Sequence, residues 1–179
     1  MEIFKEQIDE KTIEGLQHLI HANFFGIYSS QVEIDPINNQ YWFFDGVSLF
    51  YEKDNKRGFI NIKNDCIETI DRNLGYKLEV LLANQPLGLI YEYGGLTDPP
   101  VSVYYGSRTL TKVEIYNFHE MNDDEDINYD AAIYFYTNDG YVLVVSTPND
   151  YSQRVELKIR RFDQLVKEID TLNLRVVIE

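Results

Sequence analysis

The chain has 179 residues, with 30 acidic against 16 basic side chains, a net charge of −14 and a hydrophobic share of 44%. That length suits one domain with a full core, and that hydrophobic share excludes global disorder. The charge speaks against direct binding to DNA or RNA, and equally against anionic membrane surfaces, because both repel an acidic protein.

Cys66 is the single cysteine, so no internal disulfide forms, which fits a reducing compartment. The first ten residues, Met1 to Glu10, lack the basic and apolar regions of a signal peptide. No stretch approaches the ~20 apolar residues of a membrane span. These features together predict a soluble, cytoplasmic, single domain over residues 1–179.

In chain order, residues 1–11 are polar and predict a lead or a first helical turn. Ile13, Leu16, Leu19 and Ile20 then fall at helical spacing between Thr12 and Asn23, with Thr12 or Asp9 as the cap. Phe24 to Ile27 leaves that helix. A meander follows, with strands over Tyr41–Phe44, Val47–Glu52 and Phe59–Ile62. Ile67, Ile70 and Leu74 suit a short helix stopped by Gly75, and Tyr76–Ala83 fits helix or strand. Leu89–Tyr93 predicts a strand closed by Gly94 and Gly95, and Asp98-Pro99-Pro100 is the strongest turn signal. Val101–Tyr105 and Thr109–Phe118 predict two strands joined through Gly106, Ser107 and Arg108.

A β-hairpin is the best-defined element. Strands near Ala132–Thr137 and Tyr141–Ser146 flank Asn138-Asp139-Gly140, a turn whose residues tolerate positive φ. The second strand is apolar without alternation, so both its faces should be covered. Arg154–Arg160 predicts a further strand. Phe162, Leu165, Val166, Ile169 and Leu172 then mark an α-helix, and Leu174–Ile178 a final strand. The fold class expected is α+β: a largely antiparallel, multi-stranded sheet with one helix near the N-terminus and one near the C-terminus.

Motifs of catalysis are absent. There is no phosphate-binding glycine loop and no nucleophile elbow. Glu14, His18 and His21 share a predicted helix face but lack a further histidine nearby, so no metal is assigned. Asp124-x-Asp126-x-Asn128 imitates a calcium loop, yet Tyr129 and Phe135 occupy its diagnostic glycine and acid positions. His119 has Glu120 and Asp123 nearby in sequence, which alone makes no acid–base pair. The acids around Cys66 disfavour a reactive thiolate. No cofactor is implied, and an enzyme is not expected.

The charge is unevenly placed. Between Lys112 and Arg154 there is no Lys or Arg, while acids crowd the approach to the hairpin. A run of this kind is ordinarily a solvated face. Placed next to aromatic anchors, it also suits a basic protein partner. Glu120, Asp123, Asp124, Glu125, Asp126 and Asp130 would steer such a partner, with Tyr129 as an anchor. The expectation is an acidic protein-binding module, most concretely an immunity or antitoxin protein neutralising a basic toxin such as a nuclease effector. The alternative is a small-molecule-binding or regulatory domain with an aromatic-lined cleft, for which Tyr41-Trp42 and Tyr91-x-Tyr93 are candidates.

Overall fold

The computed structural model describes residues 2–44, 46–68, 74–87, 91–92, 95–96, 101–121, 123–147, 154–167 and 172–179, and side chains outside 2, 66–68, 74–76, 91–92, 95–96, 101–105 and 166–167 within them. In chain order its elements are β1 (Glu2–Glu6), α1 (Glu10–His18), β2 (Asn23–Ser29), β3 (Val32–Asp35), β4 (Gln40–Phe43), β5 (Val47–Lys53), β6 (Lys56–Glu68) and β7 (Leu74–Ala83). There follow β8 (Tyr91–Glu92), β9 (Gly95–Leu96), β10 (Val101–Met121), β11 (Glu125–Thr137), β12 (Tyr141–Ser146), β13 (Val155–Arg161), a 3-10 helix (Phe162–Lys167) and β14 (Asn173–Ile178).

The apolar strand β12 has both faces covered, as its composition predicts. Leu143 and Val145 point into the main core, while Val142 and Val144 join a second cluster with Tyr116, Tyr134, Tyr136 and Leu165. Successive side chains of a strand take opposite faces, so an unbroken apolar run serves two cores. The turn before it holds Gly140 at φ +81°.

One 12-stranded sheet runs β3-β4-β13-β12-β11-β10-β2-β5-β6-β7, with β1 added to β11 and β14 to β10. All pairings are antiparallel except that of β1 with β11. The 21-residue β10 joins the two halves. Its first part pairs with β2, and its second part with β11 and β14. The first part carries a register break between Tyr104 and Arg108, where Gly106 takes φ +86°, with β2 paired on both sides of it, and pairing with β11 begins at Leu110. Such bulges bend a strand without ending it. The two strands expected there are therefore one.

The sheet curls so that its halves share a core. Ile27, Leu49, Ile60 and Ile62 lie in one cluster with Ile133, Phe135, Leu143 and Leu157. α1 closes the cluster with Leu16, followed by Leu19 and Ile20 in the turn after it. Asp9 caps α1 by accepting from the Thr12 amide at 2.7 Å.

Several expectations change. β1 and β2 are strands where a polar lead and a helix exit were expected, and 76–83 is strand. In its described residues the acidic connection His119 to Asp126 is largely strand, bending at 123–124. The α-helix expected over Phe162–Leu172 is, in its described part, the 3-10 helix Phe162–Lys167. Phe162 and Leu165 are three apart, a spacing that a three-residue turn satisfies as well as an α-helix does. Leu165 is buried in the outer cluster and Leu172 packs against it. The predicted sites at Ile70, Gly94, Asp98, Pro99, Pro100 and Ile169, and part of Leu89–Tyr93, lie outside the described residues.

Candidate partner-binding surface

The hairpin of β10 and β11 reaches past its neighbours. β14 pairs with β10 only as far as Asn117. Beyond that point the arm holds β10 from Phe118 to Met121, the turn, and the start of β11, with β1 alongside in parallel register from Glu2↔Glu125 to Glu6↔Tyr129. Cross-strand rings stiffen it: Phe118 and Tyr129 stand opposite with centroids 5.2 Å apart.

The arm divides the predicted acids into three groups. Glu120, Asp123 and Asp124 are exposed. Asp126 is half-buried, and its Oδ1 lies 2.8 Å from His119 Nε2. Glu125 and Asp130 are buried, at 1% and 0% exposure. Asp130 accepts from the Ile8 amide at 2.7 Å and from Arg175 Nε and Nη2 at 2.7 and 2.6 Å. It ties the N-terminal segment to β11 and β14, and it offers no charge to a partner. Tyr129 is half-buried beside Phe118.

Two apolar side chains missed in the sequence complete the surface. Ile3 is 64% exposed and Met121 is 61% exposed. Both pair in register with Asp126, from its two sides. Paired residues across adjacent strands share a face of the sheet, so Ile3, Asp126 and Met121 form one row. Lys5 is also exposed on β1. Asp139, at the far end of the strand, is bound to Arg108 Nε at 2.8 Å.

A second polar group lies inside the outer cluster. The Glu114 carboxylate accepts from Lys112 Nζ at 2.8 Å, from the Tyr116 hydroxyl at 2.8 Å and from the Tyr136 hydroxyl. Lys112 Nζ also sits 4.1 Å from the centroid of the Tyr136 ring. Burial pushes the Glu114 carboxyl up, but the three donors outweigh it and the net shift is downward. Burial, then the bond to Glu114 and its charge, push the Tyr116 hydroxyl up to about 12 and raise Tyr136 further in the same direction. The carboxylate is satisfied by all three donors, so the group ties β10 to β11 on the outer face of the sheet.

The other chemical candidates do not assemble. His18 Nδ1 lies 2.7 Å from the Glu14 carbonyl of its own helix, and among the described residues no three His, Cys, Asp or Glu side chains cluster as metal ligands. Asn128 Oδ1 accepts from Gln7 and Asn117. The side chains of Cys66 and Tyr91 and all of Tyr93 lie outside those described. Trp42 lies beneath the Arg154 guanidinium, 6.0 Å from its ring centroid. The groove between residues 6–9 and β7 has no aromatic residue among its described lining. Among the described residues no helix is long and apolar enough to cross a membrane.

Compared with family models, with curated proteins and with solved structures, the chain gives no match.

Proposed function

We propose that the chain is an acidic protein-binding module whose contact surface is the tip of the β10–β11 arm with β1. Its most concrete form is an immunity or antitoxin protein that neutralises a basic toxin such as a nuclease effector. The observation that carries this reading is the exposed row Ile3, Asp126, Met121 next to Asp123 and Asp124 in the adjoining turn, with Glu120 exposed on the opposite face of the arm. Exposed apolar side chains with negative charge at one tip fit a partner with an apolar socket and a positive rim. A negative tip raises the encounter rate with such a partner and repels nucleic acid competing for the same cleft.

The test uses a partner captured from the native organism and then purified. Association is followed by stopped flow at two ionic strengths, for the wild type and for Glu120→Gln/Asp123→Asn/Asp124→Asn. These side chains are exposed, so the variant keeps its fold. Steering predicts an on-rate lower by roughly tenfold at low salt and a flattened salt dependence. An unchanged on-rate and salt slope would remove the steering role.

A further inference from the structure

β7 is the last strand of the sheet order. One of its edges pairs with β6, and no described strand pairs with the other. Free edges carry a row of unpaired amides and carbonyls, and natural proteins ordinarily cover them or blunt them. Here the free edge borders a groove of about 460 Å³. Its opposite wall is the end of β1 and the start of α1, residues 6–9 with Thr12. Ile8, Leu78 and Val80 give it an apolar side, and Leu81 stands at the rim 64% exposed.

Three carboxylates line the groove: Glu6, Asp9 and Glu79. Lys77 also lines it but is already held, 3.1 Å from Glu6 and 3.6 Å from Asp65. Lys63 stands opposite Glu79 in the ladder. The wall also contains Asn61, which is 7% exposed. Its amide nitrogen donates to the Gln85 carbonyl at 3.0 Å, which fixes the amide's orientation. Its carbonyl oxygen has no hydrogen-bond partner. A buried acceptor left unmade is costly, and it marks a place where a donor belongs.

We propose that this groove binds an extended peptide segment carrying Arg or Lys, which adds as a strand to the free edge of β7. Three independent features select that ligand. The unpaired edge selects extended backbone, whose own amides and carbonyls complete the ladder. The orphan oxygen of Asn61 sits on β6, two strand spacings of about 4.8 Å each from the added backbone, so it selects the long donor side chain of an Arg or Lys that crosses β7. Glu6, Asp9 and Glu79 against Lys63 and Lys77 leave the groove net negative, which favours positive side chains. The volume lies within the range of sites that enclose small ligands. The site stands apart from the arm tip, although β1 runs from one to the other, so a single partner could span both.

The test is an amide-resolved NMR titration with the blocked peptide acetyl-Val-Arg-Leu-Arg-Val-amide, with affinities from calorimetry. Two control peptides replace both Arg by Glu, or N-methylate alternate amides. Binding by strand addition shifts the amides of residues 77–83, and both controls bind at least tenfold more weakly. Glu79→Lys, at an exposed position, weakens the basic peptide by at least tenfold. Leu81→Pro blocks the added ladder, and Leu81→Ala controls for loss of the side chain. The proposal is overturned if residues 77–83 do not respond, if the Glu peptide binds as tightly, or if the shifts fall on residues 119–124 instead. The variant Glu120→Gln/Asp123→Asn/Asp124→Asn binds the peptide like the wild type, which separates failure here from failure of the arm-tip reading.

Discussion

Asp130→Ala tests whether the most deeply buried acid of the hairpin belongs to the fold or to a partner. Its carboxylate is fully buried and accepts three hydrogen bonds, two from Arg175 and one from the Ile8 amide. Arg175 closes the loop by donating to the Ile8 carbonyl at 3.3 Å. Removing the carboxylate strands a buried amide and leaves a guanidinium without its counterion. Breaking a buried pair in this way costs about 3–5 kcal/mol. The Arg175 side chain keeps 21% exposure and regains some water, which places the loss near the lower end, at about 3 kcal/mol. With a urea m value of about 2 kcal/mol/M, the midpoint falls by roughly 1.5 M. Urea unfolding followed by circular dichroism measures it. A cycle with Arg175→Ala and the double variant should give a coupling of about 2 kcal/mol. A loss below about 1 kcal/mol would refute the structural role. If that small loss came with weaker partner binding, Asp130 would belong to the contact surface after all.

The Glu114 group gives stability a pH dependence at both ends. Its folded carboxyl lies below the ordinary 4.5, so its contribution is complete above that value and fades as pH falls through the folded pKa. Wild type should therefore lose urea midpoint on acidification more steeply than Glu114→Gln. The raised Tyr116 and Tyr136 act oppositely: their contribution is complete below 10 and fades as pH climbs through the folded values. Ultraviolet titration should show these phenols ionising last in the wild type and earlier in Glu114→Gln. Gly46→Ala should cost roughly 2 kcal/mol, because φ is +99° and a Cβ would lie 2.5 Å from the Ile62 carbonyl oxygen. A melting temperature equal to the wild type's would count against that backbone. At the arm tip, Met121→Ser should raise the partner off-rate by roughly tenfold, the equivalent of about 1.5 kcal/mol of lost burial, and leave the on-rate unchanged. Equal off-rates would show that Met121 stays outside the contact.

The sequence carried the local signals well. Tyr141–Ser146 announced two covered faces, and Asn138-Asp139-Gly140 announced the turn, because both depend on residues adjacent in the chain. What it did not carry were features made by distant pairing. Glu2–Glu6 is polar enough to pass for a lead and becomes a strand by lying beside Glu125–Tyr129. Gly106 looked like a loop and is a bulge inside one strand, held on by β2 across the break. The charged stretch shows the same limit at the level of function. Read along the chain, Glu120 to Asp130 is one acidic patch. Folded as strands, it is sorted by facing and by neighbours. Asp124 stays in solvent, Glu125 is buried, Asp126 binds His119, and Asp130 meets Arg175 from a strand 45 residues away. One signal did point to the last pair: Arg175 is the lone charge in Leu174–Ile178, and a cation in so apolar a strand calls for a carboxylate. The sorting changes what the surface can do. Fewer acids face solvent than the run suggests, so under the proposed function steering would rest on Glu120, Asp123 and Asp124. Ile3 and Met121 would then supply the apolar contact that holds a partner once it has arrived. On that reading encounter and residence fall to different side chains on one arm, and kinetics can separate them.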